Sequence, residues 1–402
     1  MPPHEPITQS CRTIAEHFDR RVLPKRVLSL DGGGVRGILT LQYLEKIEAA
    51  LRARYGHPTL VLSDYFDLIG GTSTGAIIAA GLVLGFDVAT IQRMYRDLAT
   101  QIFKKPFFRF GAIVPKFGNR SLQKALQATY GAETTLGSPR LKTGLMIMTK
   151  RMDTGSPWPL TNQPNDPYFL PKAGKKRIGN ANMLLWQIVR ASTAAPHYFR
   201  PEDVVVGTVL DGATGNLLSE RGQFVDGGIS TANNPALQLL KIALLRGFEF
   251  NWQAGEERLM MLSVGTGLRS RRHGRATGWR ATAGAFAARA LLSIMDDCNS
   301  EVETIMQWLS SSPTAREING QISALGGDLL AGRPILRYLR YNVLLDSEWM
   351  SSQLRLTHDQ QTLNALAEMD KPANMDALAE LGRTAAAIQV KDDHFPSDSP
   401  VV

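Results

Sequence analysis

The stretch GTSTG, residues 71–75, fits the pattern G-x-S-x-G, in which a sharp turn from strand to helix exposes a serine. Ser73 would then be a nucleophile. Gly71 and Gly75 suit such a turn because side chains at these positions would collide with neighbouring backbone. A serine at a helix N-terminus also lies where a developing negative charge is favoured. The alternative is an ordinary Gly/Ser turn that caps a helix.

A second glycine-rich loop, DGGGVRG at residues 31–37, follows a short apolar run and precedes a predicted helix. Its backbone N–H groups could hold an anion. The loop also fits G-x-G-x-x-G, but no acidic residue ends a second strand roughly 20 residues later, as a dinucleotide site requires. We therefore favour an oxyanion hole, which stabilises charge formed during a reaction. Its expected members are Gly32, Gly33, Gly34 and Arg36.

A catalytic serine needs a base within hydrogen-bond reach. None of the seven histidines follows an acid in an obvious strand-end loop, and His17 is interpreted as a surface residue. Asp226 follows two apolar residues and precedes two glycines, so its carboxylate could take the serine proton directly. Two alternatives stay open at this point: an Asp-Gly turn without catalytic role, and a Ser-His-Asp triad that uses His197 or His273.

The segments around these motifs alternate between expected strands and helices. Strands are predicted at residues 26–30, 68–71, 145–150, 224–225 and 259–264, and helices at residues 38–55, 76–84, 87–103, 182–191 and 235–245. This alternation predicts an α/β fold with helices layered on a mostly parallel sheet. Because ligands bind at the carboxyl ends of parallel strands, the glycine-rich turns should converge on one sheet edge.

The composition is that of a soluble globular protein: 402 residues, 44% hydrophobic, with a net charge of +8. No basic–aromatic recognition motif accompanies the charge, so we expect no DNA or RNA partner. Two cysteines make no disulfide framework, and the N-terminus is not typical of a signal peptide, which favours a cytoplasmic protein. No apolar run approaches the roughly 20 residues that span a bilayer.

Any membrane contact would therefore come from the protein surface. Residues 102–117 mix phenylalanines with lysine and arginine, which suits an interface with anionic lipid, although a lid or surface loop is an equal alternative. The basic run at residues 269–275 could contact lipid, a nucleotide or only water.

In their order along the chain, these motifs resemble the patatin-like phospholipases. The resemblance rests on residues 31–37, 71–75, 191–199, 226–228 and 262–267. It implies a three-layer α/β/α fold, a Ser–Asp dyad formed by Ser73 and Asp226, and cleavage of lipid acyl esters. We expect no cofactor and no metal. Some bacterial members are antiphage effectors that cyclic oligonucleotides switch on, so such a nucleotide is a candidate activator.

The expected organisation is an N-terminal arm (1–24), a catalytic domain (25–270), a mostly helical region packed on it (271–390) and a disordered tail (391–402). The expected function is phospholipase A activity at the inner face of the membrane, and an oligomer is compatible with the sequence. The alternatives are a constitutive esterase with a triad and a nucleotide-binding module without hydrolase activity.

Overall fold

The computed structural model describes residues 12–103, 119–171, 177–196, 198–210, 217–269, 283–330 and 332–395. The strands are β1 Lys25–Leu30, β2 Leu68–Thr72, β3 Gly144–Arg151, β4 Ser156–Thr161, β5 Glu202–Leu210, β6 Leu217–Asp226, β7 Leu259–Val264, β8 Leu268–Arg269, β9 Ser310–Ser311, β10 Leu336–Tyr341 and β11 Leu344–Leu345. The helices are α1 Ile14–Phe18, α2 Gly37–Tyr55, α3 Leu62–Tyr65, α4 Thr74–Val83, α5 Val88–Phe103, α6 Asn119–Tyr130, α7 Leu185–Ser192, α8 Ala236–Leu244, α9 Ala283–Trp308, α10 Ser347–Trp349, α11 Gln360–Leu366 and α12 Met375–Gln389.

The central sheet has the strand order β5-β6-β3-β2-β1-β7-β10-β9, with β4 also paired to β3. Neighbouring strands from β3 through β2, β1, β7 and β10 to β9 are parallel. The strands β4, β5 and β6 form antiparallel pairs at the other end. The predicted mostly parallel α/β sheet is confirmed. The antiparallel direction of β6 was not predicted from the sequence.

Helices cover both faces of the sheet. Side chains of successive strand residues point to opposite faces, and in β1 Leu28 packs with α2, α4 and α12 whereas Val27 packs with α8 and α9. All six residues of β1 are buried, as expected for a strand covered on both sides. This arrangement is the three-layer α/β/α fold.

The region beyond residue 270 contains the expected helices α9 and α12, but it is not only helical. Its strand β10 lies inside the central sheet, parallel to β7. The sequence prediction missed β10 because its segment, LRYLRY, places arginines among the apolar residues. Arg340 can be buried there because it pairs with the carboxylate of Asp31, the residue that follows β1. The division into a catalytic domain and a C-terminal region stays a prediction.

Two end segments differ from their predictions. His17 is not on the surface: its ring is buried, and Nδ1 lies 2.9 Å from the Asp67 carboxylate. Arg12 also binds Asp67, at 2.8 Å, so residues 12–17 are attached to the residue that precedes β2. The tail predicted to be disordered from residue 391 starts with an ordered turn, in which the side chains of His394 and Phe395 are buried.

Candidate active site

Ser73 occupies the turn between β2 and α4 in a backbone conformation that non-glycine residues rarely adopt, with φ 54° and ψ −118°. The glycines of the motif make this turn fit. A methyl group on Gly71 would come within 2.1 Å of the Gly75 carbonyl oxygen, and one on Gly75 within 2.1 Å of the Leu30 carbonyl oxygen. The sequence therefore folds into a strained turn of the type that exposes a serine nucleophile in other proteins.

Strand β3 sets the distance between the serine and the carboxylate. One edge of β3 pairs with β4 over Met146–Arg151, so β2 and β6 must share the other edge. On that edge the pairing of β3 with β2 ends at Met148, which lies opposite Thr72. The pairing of β3 with β6 starts at the next residue, Thr149, which lies opposite Asp226. The two strands thus meet end to end, which places Asp226 beside the turn that starts after Thr72.

The Asp226 carboxyl group is buried, and Oδ1 accepts a hydrogen bond from the Gly228 N–H at 2.7 Å. Burial raises the pKa of Asp226 to about 6, although the Ser73 side chain, the Gly228 N–H and the charge of Arg190 lower it. A carboxylate with a raised pKa is a stronger base than an exposed one. Asp226 is therefore suited to take a proton from Ser73 near neutral pH.

Ser192, at the end of α7, supports the elbow and was assigned no role in the sequence analysis. Its hydroxyl accepts a hydrogen bond from the Ser73 N–H at 2.9 Å and donates one to the Met148 carbonyl at 2.6 Å. The following segment fixes the base, because the Asp226 N–H donates to the Ala194 carbonyl. Ser192 and Ala194 lie in the stretch 191–199, which the sequence analysis used only for its resemblance to the family.

The loop after β1 approaches Ser73 closely: a methyl group on Gly32 would lie 3.2 Å from the Ser73 Cβ. The Gly32 N–H donates to the Asn233 carbonyl, so it is not free to hold an oxyanion. Neither the Gly33 N–H nor the Gly34 N–H has an acceptor within the described ranges. Gly33 and Gly34 both line the pocket that contains Ser73, which makes them the candidate oxyanion donors.

Hydrogen bonds to neighbouring carbonyls orient these two N–H groups, because C=O and N–H point in opposite directions across a trans peptide. The Gly32 carbonyl accepts from the Thr266 hydroxyl at 3.0 Å, which turns the Gly33 N–H away from Thr266. The Gly33 carbonyl accepts from the Arg36 Nε at 3.4 Å, which turns the Gly34 N–H away from Arg36. Thr266 had no predicted role.

Arg36 is buried and does not line the pocket of Ser73. Its guanidinium donates to the Gly267 carbonyl at 3.0 Å as well as to Gly33. Burial lowers the pKa of Arg36 to about 10, so it remains charged at neutral pH. We therefore expect Arg36 to hold the loop of Gly33 and Gly34 in position and not to contact an oxyanion itself.

Ser73 and Asp226 open into a pocket of about 950 Å³, its mouth included. Its walls are mainly apolar, and the members include Ile77, Leu98, Leu122, Phe199, Leu292 and Met295. An apolar pocket with a few polar groups at one place is typical of a site for a ligand with a hydrocarbon part.

Several sequence predictions lie outside the described residues. They are His197, His273, most of the aromatic–basic segment 102–117 and the basic run from residue 270 onward.

Among the residues that the structure describes, no group of three His, Cys, Asp or Glu side chains could hold a metal ion. None of the helices in the same part of the chain is long and apolar enough to cross a bilayer.

Comparison with known proteins indicates the family of this chain. Residues 28–240 match the family model described as patatin-like phospholipase. The chain is 31% identical to the cGAMP-activated phospholipase of Escherichia coli (strain TW11681) over 60% of its own length and 62% of that protein. It is 33% identical to the protein of that name from Vibrio cholerae over 55% of its own length and 57% of that protein.

A plant relative, patatin group J-1 of Solanum tuberosum, is 29% identical over 61% of each chain. The matches thus span only about 60% of the length of these curated relatives. The matched family region contains the loop after β1, the Ser73 elbow and Asp226. The chain belongs to the patatin-like phospholipase family.

Proposed function

We propose that this protein is a phospholipase A-type lipid acyl hydrolase in which Ser73 is the nucleophile and Asp226 the base. The observation that carries the proposal is the register of β3, which brings the strained serine turn and a buried carboxylate together. Both side chains line the same apolar pocket. A lipid ester would place its carbonyl at Ser73 and its acyl chain against the apolar walls.

The reaction proceeds through two acyl transfers. Asp226 takes the Ser73 proton as Oγ attacks the ester carbonyl, and the N–H groups of Gly33 and Gly34 stabilise the oxyanion. The bond to the lysolipid oxygen breaks, and that oxygen receives the proton from Asp226. Asp226 then deprotonates a water molecule, which attacks the acyl-enzyme. Fatty acid leaves, and the proton returns to Ser73.

The loop after β1 does not favour the nucleotide-binding alternative. Protein atoms occupy the space next to its glycines: a methyl group on Gly33 would lie 2.2 Å from the Thr266 Oγ1, and one on Gly34 would lie 2.2 Å from the Met369 carbonyl oxygen. A pyrophosphate needs close access to such a backbone. The triad alternative depends on His197 or His273, so a functional test must separate the two bases.

Covalent labelling tests the proposed dyad. A fluorophosphonate should modify the wild-type protein at Ser73, located by peptide mass spectrometry, because the probe mimics an acylating ester. Asp226→Asn should slow the labelling by roughly 10²–10⁴-fold, since the general base is lost. Ser352→Ala, at an exposed serine, is the matched control and should label Ser73 at the wild-type rate.

Two outcomes would contradict this account. Labelling that falls on another residue would remove Ser73 as the nucleophile. Labelling of Ser73 at an unchanged rate in Asp226→Asn would show that a histidine, and not Asp226, is the base.

We also propose that a cyclic oligonucleotide activates the protein at the inner face of the membrane, as part of antiphage defence. Support comes from the printed names of the Escherichia coli and Vibrio cholerae relatives, which are cGAMP-activated phospholipases. Hydrolysis of phospholipid vesicles should then increase when cGAMP is added. Equal hydrolysis with and without cGAMP would remove this nucleotide as the activator while leaving the dyad in place.

A further inference from the structure

The part of the chain beyond the matched family region 28–240 builds part of the pocket that contains Ser73. Leu292 and Met295 of α9 line the pocket, as do Met369 and Asp370 from the loop between α11 and α12. One side of the pocket is therefore built by residues outside the matched family region.

Among these residues, Met369 is bonded directly to the loop of the oxyanion donors. Its carbonyl accepts a hydrogen bond from the Val35 N–H at 2.9 Å. It also packs on Gly34, where an added methyl group would lie 2.9 Å from the Met369 Cβ. The Met369 backbone and Cβ are thereby held against Gly34, and its side chain starts from this point in the wall of the pocket.

The loop that carries Met369 is anchored at both ends. The Asn374 amide nitrogen donates to the Ala365 carbonyl at 2.7 Å, which closes the loop at its base. The helices on either side are seated in the core through buried residues, Leu363 and Leu366 in α11 and Leu378 in α12. A change in the Met369 side chain should therefore alter the shape of the pocket without releasing the loop.

We propose that Met369 determines the acyl-chain selectivity of the enzyme. This inference rests on the proposed function, in which the ester carbonyl lies at the N–H groups of Gly33 and Gly34. The first carbons of the acyl chain then pass the Met369 side chain. Methionine is flexible and apolar, so it fits chains of different shape. A larger, stiffer side chain would block long chains, and a smaller one would admit them more easily.

The experiment measures the rate at which alkyl fluorophosphonates of graded chain length label Ser73, which needs no turnover. Met369→Phe should lower the ratio of long-chain to short-chain rates by about tenfold or more. Met369→Ala should raise that ratio by about threefold, and Met369→Leu should keep it near wild type. Lys371→Ala, on the same loop but outside the pocket, is the matched control and should leave the ratio unchanged.

The outcomes separate the two proposals. Absence of Ser73 labelling in the wild type with every probe would overturn the proposed function. Labelling with the same chain-length profile in wild type, Met369→Ala and Met369→Phe would overturn only the role of Met369. If Met369→Phe does not fold, the Ala and Leu variants alone decide between these results.

Discussion

Ser73 and Asp226 are 153 positions apart in the chain, yet the sequence alone indicated both as candidate catalytic residues because each stands in a short glycine-rich motif. The residues that hold them could not be predicted in the same way. Ser192 and Thr266 act through side-chain hydrogen bonds with backbone atoms that are distant in sequence. Such contacts depend on the tertiary fold, and one serine or threonine has no distinctive local pattern.

At the residue scale, the pKa of Asp226 predicts the dependence of activity on pH. Burial raises this pKa to about 6, and only the ionised carboxylate can accept the Ser73 proton. The value of kcat/KM should therefore be low at pH 5, rise with an apparent pKa near 6, and level off by pH 7–8. Measurement of kcat/KM with a soluble ester between pH 4.5 and 8.5 tests this, and a profile that is flat across this range would contradict it.

The same pKa shift makes a prediction for stability. The folded-state pKa of Asp226 lies above its unfolded value, so its contribution to stability is present at low pH and is lost as pH rises through about 6. Asp226→Asn cannot ionise, so at pH 8 it should be more stable than wild type, by up to about 3 kcal/mol, while inactive. Urea unfolding at pH 8 measures this difference. A clearly lower stability of Asp226→Asn than of wild type would contradict a raised pKa of Asp226.

Thr266 provides a test of the oxyanion loop. Thr266→Val removes the hydroxyl that binds the Gly32 carbonyl, so the Gly33 N–H loses its fixed direction, and kcat should fall by roughly 10–10²-fold with a smaller change in KM. Thr266→Ser keeps the hydroxyl and should retain most of the activity. Steady-state kinetics on both variants separates the effect of the lost hydrogen bond from that of changed packing around residue 266. If Thr266→Ser and Thr266→Val reduce kcat equally, the hydrogen bond does not orient the Gly33 N–H.

At the scale of elements, the strands were predictable where apolar runs precede glycines, as in β1 and β2. The pairing along β3 was not, because β6 enters from the opposite direction and its register depends on partners distant in sequence. β10 was missed because Arg340 interrupts its apolar pattern. Only the fold shows that Arg340 pairs with Asp31, the residue before the glycines of the loop after β1.

The ion pair between Asp31, which follows β1, and Arg340 of β10 makes a testable contribution to stability. Arg340 binds both Asp31 carboxylate oxygens, at 2.9 and 2.6 Å, and both side chains are buried. Arg340→Met should destabilise the protein by about 3–5 kcal/mol, because it leaves a buried carboxylate unpaired. Chemical unfolding measures the loss, and Arg337→Met on the same strand is the control, expected to cost much less.

A second variant shows whether the pair itself is needed. Asp31→Asn combined with Arg340→Met removes both charges and should recover part of the lost stability. A double variant that is as unstable as the sum of the single variants would mean that the two side chains act independently.

At the scale of the whole molecule, the described residues beyond 282 are packed together with the candidate active site. They supply β10 to the sheet, pack α12 on α2 and place Met369 against the oxyanion loop. The sequence predicted that this region packs on the catalytic part but gave it no role. It contributes four residues to the pocket, two from α9 and two from the loop between α11 and α12, and no motif in the sequence would reveal them.

Fatty-acid release from phospholipid vesicles tests the central claim most directly. Wild type and Ser73→Ala would be compared with and without cGAMP, with Ser352→Ala as the control. We predict release by wild type and Ser352→Ala, in at least one of the two conditions, and a loss of roughly 10⁴-fold or more in Ser73→Ala. Release by Ser73→Ala at the wild-type rate, or none by folded wild type in either condition, would contradict the assignment of this chain as a Ser–Asp phospholipase.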